Sequence, residues 1–360
     1  MQNPKTVACL AIWLMLAANP YLTEAKQVRS VYGFKTDLAP FQGKSPVEIA
    51  GGLEAMGVDA VFGAEGNPEM AAALKAKGIA NYAEAGVFVG KELQERFPDA
   101  VPIDSKGRKF VRDDWYYPLI PTHPEVVEIR LKEIEALYQS DSVDGVWLDF
   151  IRWPSRWENA DPDLRQTSFD PLSLSRFFGD TGITVPLELI LPPDRAAWIL
   201  KKHGPDWIDW KCAVITDFVA RVRAVRDRVA PEKVVGIFTV PWRGPEKGGA
   251  ARRIVAQDLR QLREHIDVFS PMVYHGLTGN DLPWIAQVTA YTARITGKPV
   301  WPIVQAMSEP AKLSNEEFAG AIKTGMEAKG SSGVIIFHLG YVVEENKIET
   351  MKETFRKYQK

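Results

Sequence analysis

Cysteine is nearly absent from this chain. Only Cys9 and Cys212 occur in 360 residues, which excludes a framework of several disulfides of the kind that staples small secreted domains. Histidine is scarce too. Five are present, with no HxH or HExxH spacing, so a metal-dependent hydrolase has little to stand on and no metal or other cofactor is expected. No GxSxG occurs, and no Cys–His partnership suggests itself, which weakens serine- or thiol-ester chemistry. An excess of charge of one sign is also missing. A net charge of -2, from 44 basic and 46 acidic residues, gives no reason to expect nucleic acid or an anionic membrane as partner.

Long apolar runs are lacking as well. The one notable run, "VACLAIWLMLAA" at 7–18, is too short for a membrane span. It follows Lys5 and is succeeded by small residues, the pattern of a secretory signal. The expectation is a leader over residues 1–27, a mature protein at 28–360, and a secreted or periplasmic location. Cys212 would then be the single remaining cysteine. It sits among the apolar helical positions of "WIDWKCAVITDFVARV", where packing is its expected role.

Beyond residue 28 a single theme recurs: a β-rich run, a loop, then an amphipathic helix. Strands are expected at 30–38, 58–65, 79–89, 144–153, 234–242, 267–275, 299–307 and 333–341. Between them lie helical signatures such as "SPVEIAGGLEAMG" and "NPEMAAALKAKG", each with a capping residue followed by proline. "HPEVVEIRLKEIEALYQ", "AQDLRQLREHI", "PWIAQVTAYTARITG", "NEEFAGAIKTGMEAKG" and "ENKIETMKETFRKYQ" complete the series. Eight alternating units predict a closed (β/α)8 TIM barrel. The rival, an open doubly wound sheet, would normally carry a glycine-rich turn after its first strand. The turn here reads "TDLAPFQGKSP". One unit is oversized: an insertion at about 155–232 follows the fourth strand, holds Trp157, Trp198, Trp207 and Trp210, and should wall the barrel mouth.

Active sites of such barrels lie at the C-terminal ends of the strands. Those ends carry Asp37, Glu65, Glu84, Asp149 with Arg152 and Trp153, Trp242, Tyr274 with His275, Gln305, and His338 with Tyr341. Carboxylates, aromatic rings and hydrogen-bonding groups suit a carbohydrate, since rings stack on pyranose faces while polar groups hold hydroxyls. In "GVWLDFIRW" alternation puts Val146, Leu148 and Phe150 on one face and Trp147 and Asp149 on the other, which aims Asp149 into the barrel top. Glu84 is the expected partner carboxylate and Glu65 the reserve. Trp147, Arg152, Trp153, Trp242, Tyr274, His275, Gln305 and His338 are the expected substrate contacts. Asp37, in "TDLAP", reads better as turn chemistry.

These motifs carry a resemblance. "LIPTHPEVVEIRLKEIEALYQSDSVDGVWLDFIRWP" resembles the central block of the glycosyl-hydrolase-like TIM-barrel proteins related to family-ten glycosidases, in which a proline-led helix precedes a strand of the form "VDGIHLDYIRYP". "IDVFSPMVYH" and "KPVWPIVQ" resemble that group's sixth and seventh strands. The resemblance implies a secreted enzyme acting on glycosidic bonds, with Asp149 as its strand-four acid and Arg152, Tyr274 and Gln305 in its site. The chain departs from the better-known retaining barrels, which have Asn-Glu after strand four and a glutamate ending strand seven. Here those positions hold Asp149 and Gln305, with Glu309 beyond. The alternative is a barrel that binds carbohydrate, or serves the cell envelope, without cleaving it.

Overall fold

The computed structural model describes residues 27–359, so the expected leader falls almost wholly outside the described residues. Eight parallel strands run β1 Val28–Val31, β2 Ala60–Phe62, β3 Ala80–Gly86, β4 Gly145–Asp149, β5 Val234–Thr239, β6 Val268–Pro271, β7 Ile303–Gln305 and β8 Gly333–Phe337. Their order is β6-β5-β4-β3-β2-β1-β8-β7. Bridges from Phe269 to Val300 and from Met272 to Ile303 join β6 to β7 and close the ring. The chain is a (β/α)8 barrel.

The local signals behave as their chemistry dictates. Ser45 and Glu48 form a reciprocal capping box ahead of Pro46, and Asn67 caps the helix that Pro68 opens. Gly78 supplies the left-handed turn after it, with φ +68°. Several strands stop short of their expected ends, β4 at Asp149 and β6 at Pro271 among them, and two further differences have a local cause. The first strand ends at Val31 instead of 38, because Gly33 turns the chain at φ +71° and Asp37 lies exposed in the loop beyond. The stretch "AQDLRQLREHI" yields only one helical turn, Leu259–Leu262.

Three apolar clusters follow from the period-two alternation of the strands, two outside the barrel and one within it. Val146 and Leu148 face outward onto the helix Pro124–Gln139 and the insertion, while β1, β2, β7 and β8 face the remaining helices. Phe62, Tyr82, Trp147, Phe238, Trp301 and Ile335 fill the barrel. Trp147 is fully buried there. Its ring lies 5.3 Å from that of Trp301, nearly parallel, and its indole N–H donates to Ser270 Oγ at 3.0 Å. Gly236 makes the space: a Cβ at that position would stand 2.1 Å from the Trp147 ring.

Between β4 and β5 the insertion forms three helices, Pro171–Thr181, Pro192–Lys202 and Gly204–Val229. Trp207 and Trp210 pack on Phe177 and on Trp153 in a core of their own. Cys212 is buried beside that core and unbridged, and burial pushes its thiol up to about 12, which keeps it protonated. No helix among the described residues is long and apolar enough to cross a membrane.

Candidate active site

Parallel pairing of β3 with β4 sets Glu84 beside Trp147 and Gly86 beside Asp149. Both acids therefore face the barrel axis on adjacent strands, one level apart, and Gly86 leaves Asp149's level free of a competing side chain. The Glu84 carboxyl reaches up and is hydrogen-bonded to that of Asp149. Two carboxyl groups in contact cannot both ionise cheaply. Burial, then the charge of Asp149, pushes Glu84 up to about 8. Asp149 is also raised, by burial, but Arg152 and the Phe150 N–H oppose that rise. The pair therefore favours a proton on Glu84 well above the ordinary carboxylate range.

The surroundings fix this arrangement. Tyr32, the residue after β1, donates its hydroxyl to Glu84 Oε2, and burial together with the carboxyl it touches raises the phenol above its usual range. Phe150 N–H donates to Asp149 Oδ1 at 2.6 Å. Phe150 itself adopts φ +49°, a left-handed conformation that a bulky residue takes only under constraint. That turn breaks the strand alternation. It swings the Phe150 ring onto Tyr116, at 5.6 Å and stacked, and under the Arg152 guanidinium at 4.6 Å. Arg152 Nη1 thereby stands 3.7 Å from Asp149, and its Nη2 3.4 Å from Glu158. On the far side, Trp157, Trp242, Tyr274 and Phe337 make an aromatic wall.

Several expected contacts sit elsewhere. Trp147 fills the barrel a layer below the mouth, because it lies two residues before the strand end. Trp153 points outward: the turn at Phe150 flips the register, and its indole N–H donates to the Lys211 carbonyl at 3.1 Å. Gln305, 1% exposed, accepts from the Leu277 N–H and donates to the Met307 and Glu309 carbonyls, so it clamps loops with its whole amide. His275 is buried against Glu317 at 3.1 Å. His338 is half-buried and stacked on Tyr341 at 4.0 Å, with burial lowering its pKa from the ordinary histidine value. Glu65 stands near enough for its charge to act on Glu84.

Tyr32, Tyr116 and Glu158 are additions, and of the insertion's tryptophans expected to wall the mouth Trp157 lies against Tyr274 there. Tyr32 was legible once the first strand is ended at Val31, since Ser30 and Tyr32 then share the inward face. Trp157 and Glu158 lie in an irregular loop, where no periodicity announces direction. The mouth also concentrates unsatisfied polar atoms. Glu65 Oε2, Arg152 Nε and Nη1, Ser155 Oγ and Trp157 Nε1 are buried without a hydrogen-bond partner, which is costly unless a polar ligand or water completes them. No group of His, Cys, Asp and Glu among the described residues could hold a metal ion.

Comparison with known proteins adds the architecture's setting. Over 92% of this chain and 98% of the other, the fold matches the glycoside hydrolase domain of PgaB (BpsB) from Bordetella bronchiseptica, with TM-score 0.67 and 16% identity. A β-galactosidase of Bacillus circulans sp. alkalophilus matches with TM-score 0.65 and 10% identity, covering 93% of this chain and 56% of that one. Both matches share the (β/α)8 barrel of this chain. At such identities the likeness speaks for the fold alone. In sequence, 120 residues are 35% identical to an S-layer-related protein of Niallia circulans, covering 31% of this chain and 7% of that protein. No family model matches.

Proposed function

We propose that the protein is a glycoside hydrolase of the glycosyl-hydrolase-like barrels related to family ten, acting on a poly- or oligosaccharide outside the cytoplasm. The observation that carries this reading is the Glu84–Asp149 pair, which retains a proton at neutral pH at the bottom of an aromatic-lined mouth. A carboxyl poised near 8 is matched to protonating a leaving glycosidic oxygen. Glu84 is the proton donor. Asp149, whose protonation Arg152 opposes, holds the donor in place and takes up positive charge developing at the anomeric carbon.

Paired carboxylates that flank a glycosidic bond stand about 5–5.5 Å apart in retaining enzymes and about 6.5–9.5 Å apart in inverting ones. Glu84 and Asp149 are in contact, so they act as one proton-holding unit. The carboxylate that activates water comes from the two others the pair senses: Glu65 through Glu84, or Glu158 through Asp149. Glu65 has the better claim, because Glu158 is engaged by Arg152 and by the Trp157 N–H. Unsatisfied donors and acceptors at the mouth suit sugar hydroxyls, which do both.

Reducing-end release from a panel of bacterial and plant polysaccharides tests this, comparing wild type with Asp149→Asn. Release that vanishes in the folded variant supports the reading; equal release by both removes Asp149 from the chemistry. The stretch shared with an S-layer-related protein favours one second reading, a cell-envelope barrel that binds carbohydrate uncleaved. Binding of a polysaccharide without release by wild type would select it.

A further inference from the structure

Few large apolar side chains are strongly exposed among the described residues, and one of them, Trp115, 52% exposed, stands at the barrel mouth. Its position is built. Asp113 and Tyr116 pair through two backbone hydrogen bonds of 3.0 Å, leaving Asp114 and Trp115 at the tip of a tight turn. Asp114 takes the left-handed conformation that such a turn requires, φ +57°. Tyr116 anchors the turn inward on Phe150. Arg156, from the loop after β4, pins it from outside, with Nη1 3.1 Å from Asp113 and Nη2 3.7 Å from Asp114. The same guanidinium lies 5.9 Å from the Trp115 ring centre, and Phe150 meets that ring edge-on at 5.9 Å. The indole is thus fixed on two sides while half of it faces solvent. Arg156 Nε is buried with no hydrogen-bond partner. Phe150, whose ring meets Trp115, is the residue whose N–H holds Asp149, so one residue links the turn to the acid pair.

We infer that Trp115 is a sugar-binding platform outside the acid pair, stacking a neutral pyranose ring of a chain whose scissile bond lies at Glu84 and Asp149. At the turn one guanidinium, Arg156, faces two carboxylates, Asp113 and Asp114, which leaves no excess positive charge to hold an anionic sugar, so the ligand unit there is neutral and recognised by its C–H face. Stacking of this kind needs a rigid ring with one face free. The inference rests on the carbohydrate reading of the site and deepens it: the substrate is a chain that continues past the reacting sugar, not a terminal monosaccharide on an unrelated aglycone.

Affinity electrophoresis through gels containing xylan, galactan, laminarin or glycol chitosan tests it with wild type, Asp149→Asn, Trp115→Ala and Trp115→Phe. The expected result is retardation of wild type and Asp149→Asn in at least one gel, a tenfold or greater weakening in Trp115→Ala, and recovery of much of it in Trp115→Phe. Equal retardation of Trp115→Ala overturns the platform, as does a wild type that no gel retards. The two readings separate cleanly. Retardation without hydrolysis sinks the glycosidase and leaves the platform; hydrolysis of long chains by Trp115→Ala at the wild-type kcat/KM does the reverse.

Discussion

Replacing Glu84 by glutamine should stabilise the protein against urea at alkaline pH while changing it little in acid. The carboxyl is moved from its ordinary 4.5 to about 8, by burial first and by the Asp149 charge second. Between those values the folded state keeps a proton that the unfolded chain has released. The stability associated with Glu84 is therefore complete below the unfolded pKa and is lost as pH rises through the folded one. At about 1.4 kcal/mol per pH unit, going from about pH 5.5 to about pH 8.5 costs wild type roughly 3 kcal/mol through this group. Glutamine does not titrate, yet its amide can donate to Asp149 and accept from Tyr32 as the protonated acid does. Groups that titrate identically in both proteins cancel in the comparison. Urea unfolding followed by tryptophan fluorescence at the two pH values should show the difference between variant and wild type moving by about 3 kcal/mol in the variant's favour. A difference independent of pH, or one moving against the variant, refutes a retained proton on Glu84.

Other residues make further demands. Gly236→Ala drives a methyl to 2.1 Å from the Trp147 ring and should cost about 1–3 kcal/mol or more by overpacking, seen as a lowered Tm; an unchanged Tm would mean that Trp147 is not wedged as described. Gln305→Leu removes the acceptor of the part-buried Leu277 N–H and the donor to the Met307 and Glu309 carbonyls, which should cost about 1–3 kcal/mol in all, and thermal melting checks it. Lys211, 0% exposed, is lowered by burial to about 7, so the folded state gives up a proton that the unfolded chain holds to higher pH. The contribution of Lys211 to wild-type stability should rise with pH from about 7 towards 10.5, by up to about 1.4 kcal/mol per unit. Lys211→Met should remove that slope, and unfolding at two pH values reads it.

The sequence carried the barrel because eight apolar runs of period two, separated by capped helices, have few other ways to bury their faces. It carried Asp149 and Glu84 for the same reason: each is a lone carboxylate at the inward position near a strand's end. It misled where regular alternation stopped. Phe150 at positive φ reverses the direction of every following side chain, which brings Arg152 over the mouth and sends Trp153 into the insertion. Trp147 shows a second limit, for periodicity gives direction but not depth, and two residues further down the strand is a full layer into the core. Gln305 and His275 were placed at the right end of the barrel, but their hydrogen bonds tie loops together. Trp115 and Glu158 lie in loops, where position is decided by contacts distant in sequence, such as Arg156 on Asp113.

Whether the proton on Glu84 is the one delivered to the glycosidic oxygen is read from the pH dependence of kcat/KM in wild type and Tyr32→Phe. The Tyr32 hydroxyl donates to the Glu84 carboxylate and favours its ionised form, so its loss raises the Glu84 pKa. Wild-type activity should fall as pH passes about 8, and in Tyr32→Phe that alkaline limb should lie at higher pH while the acid limb stays nearly in place. An alkaline limb that does not move, or that moves down, would contradict the account.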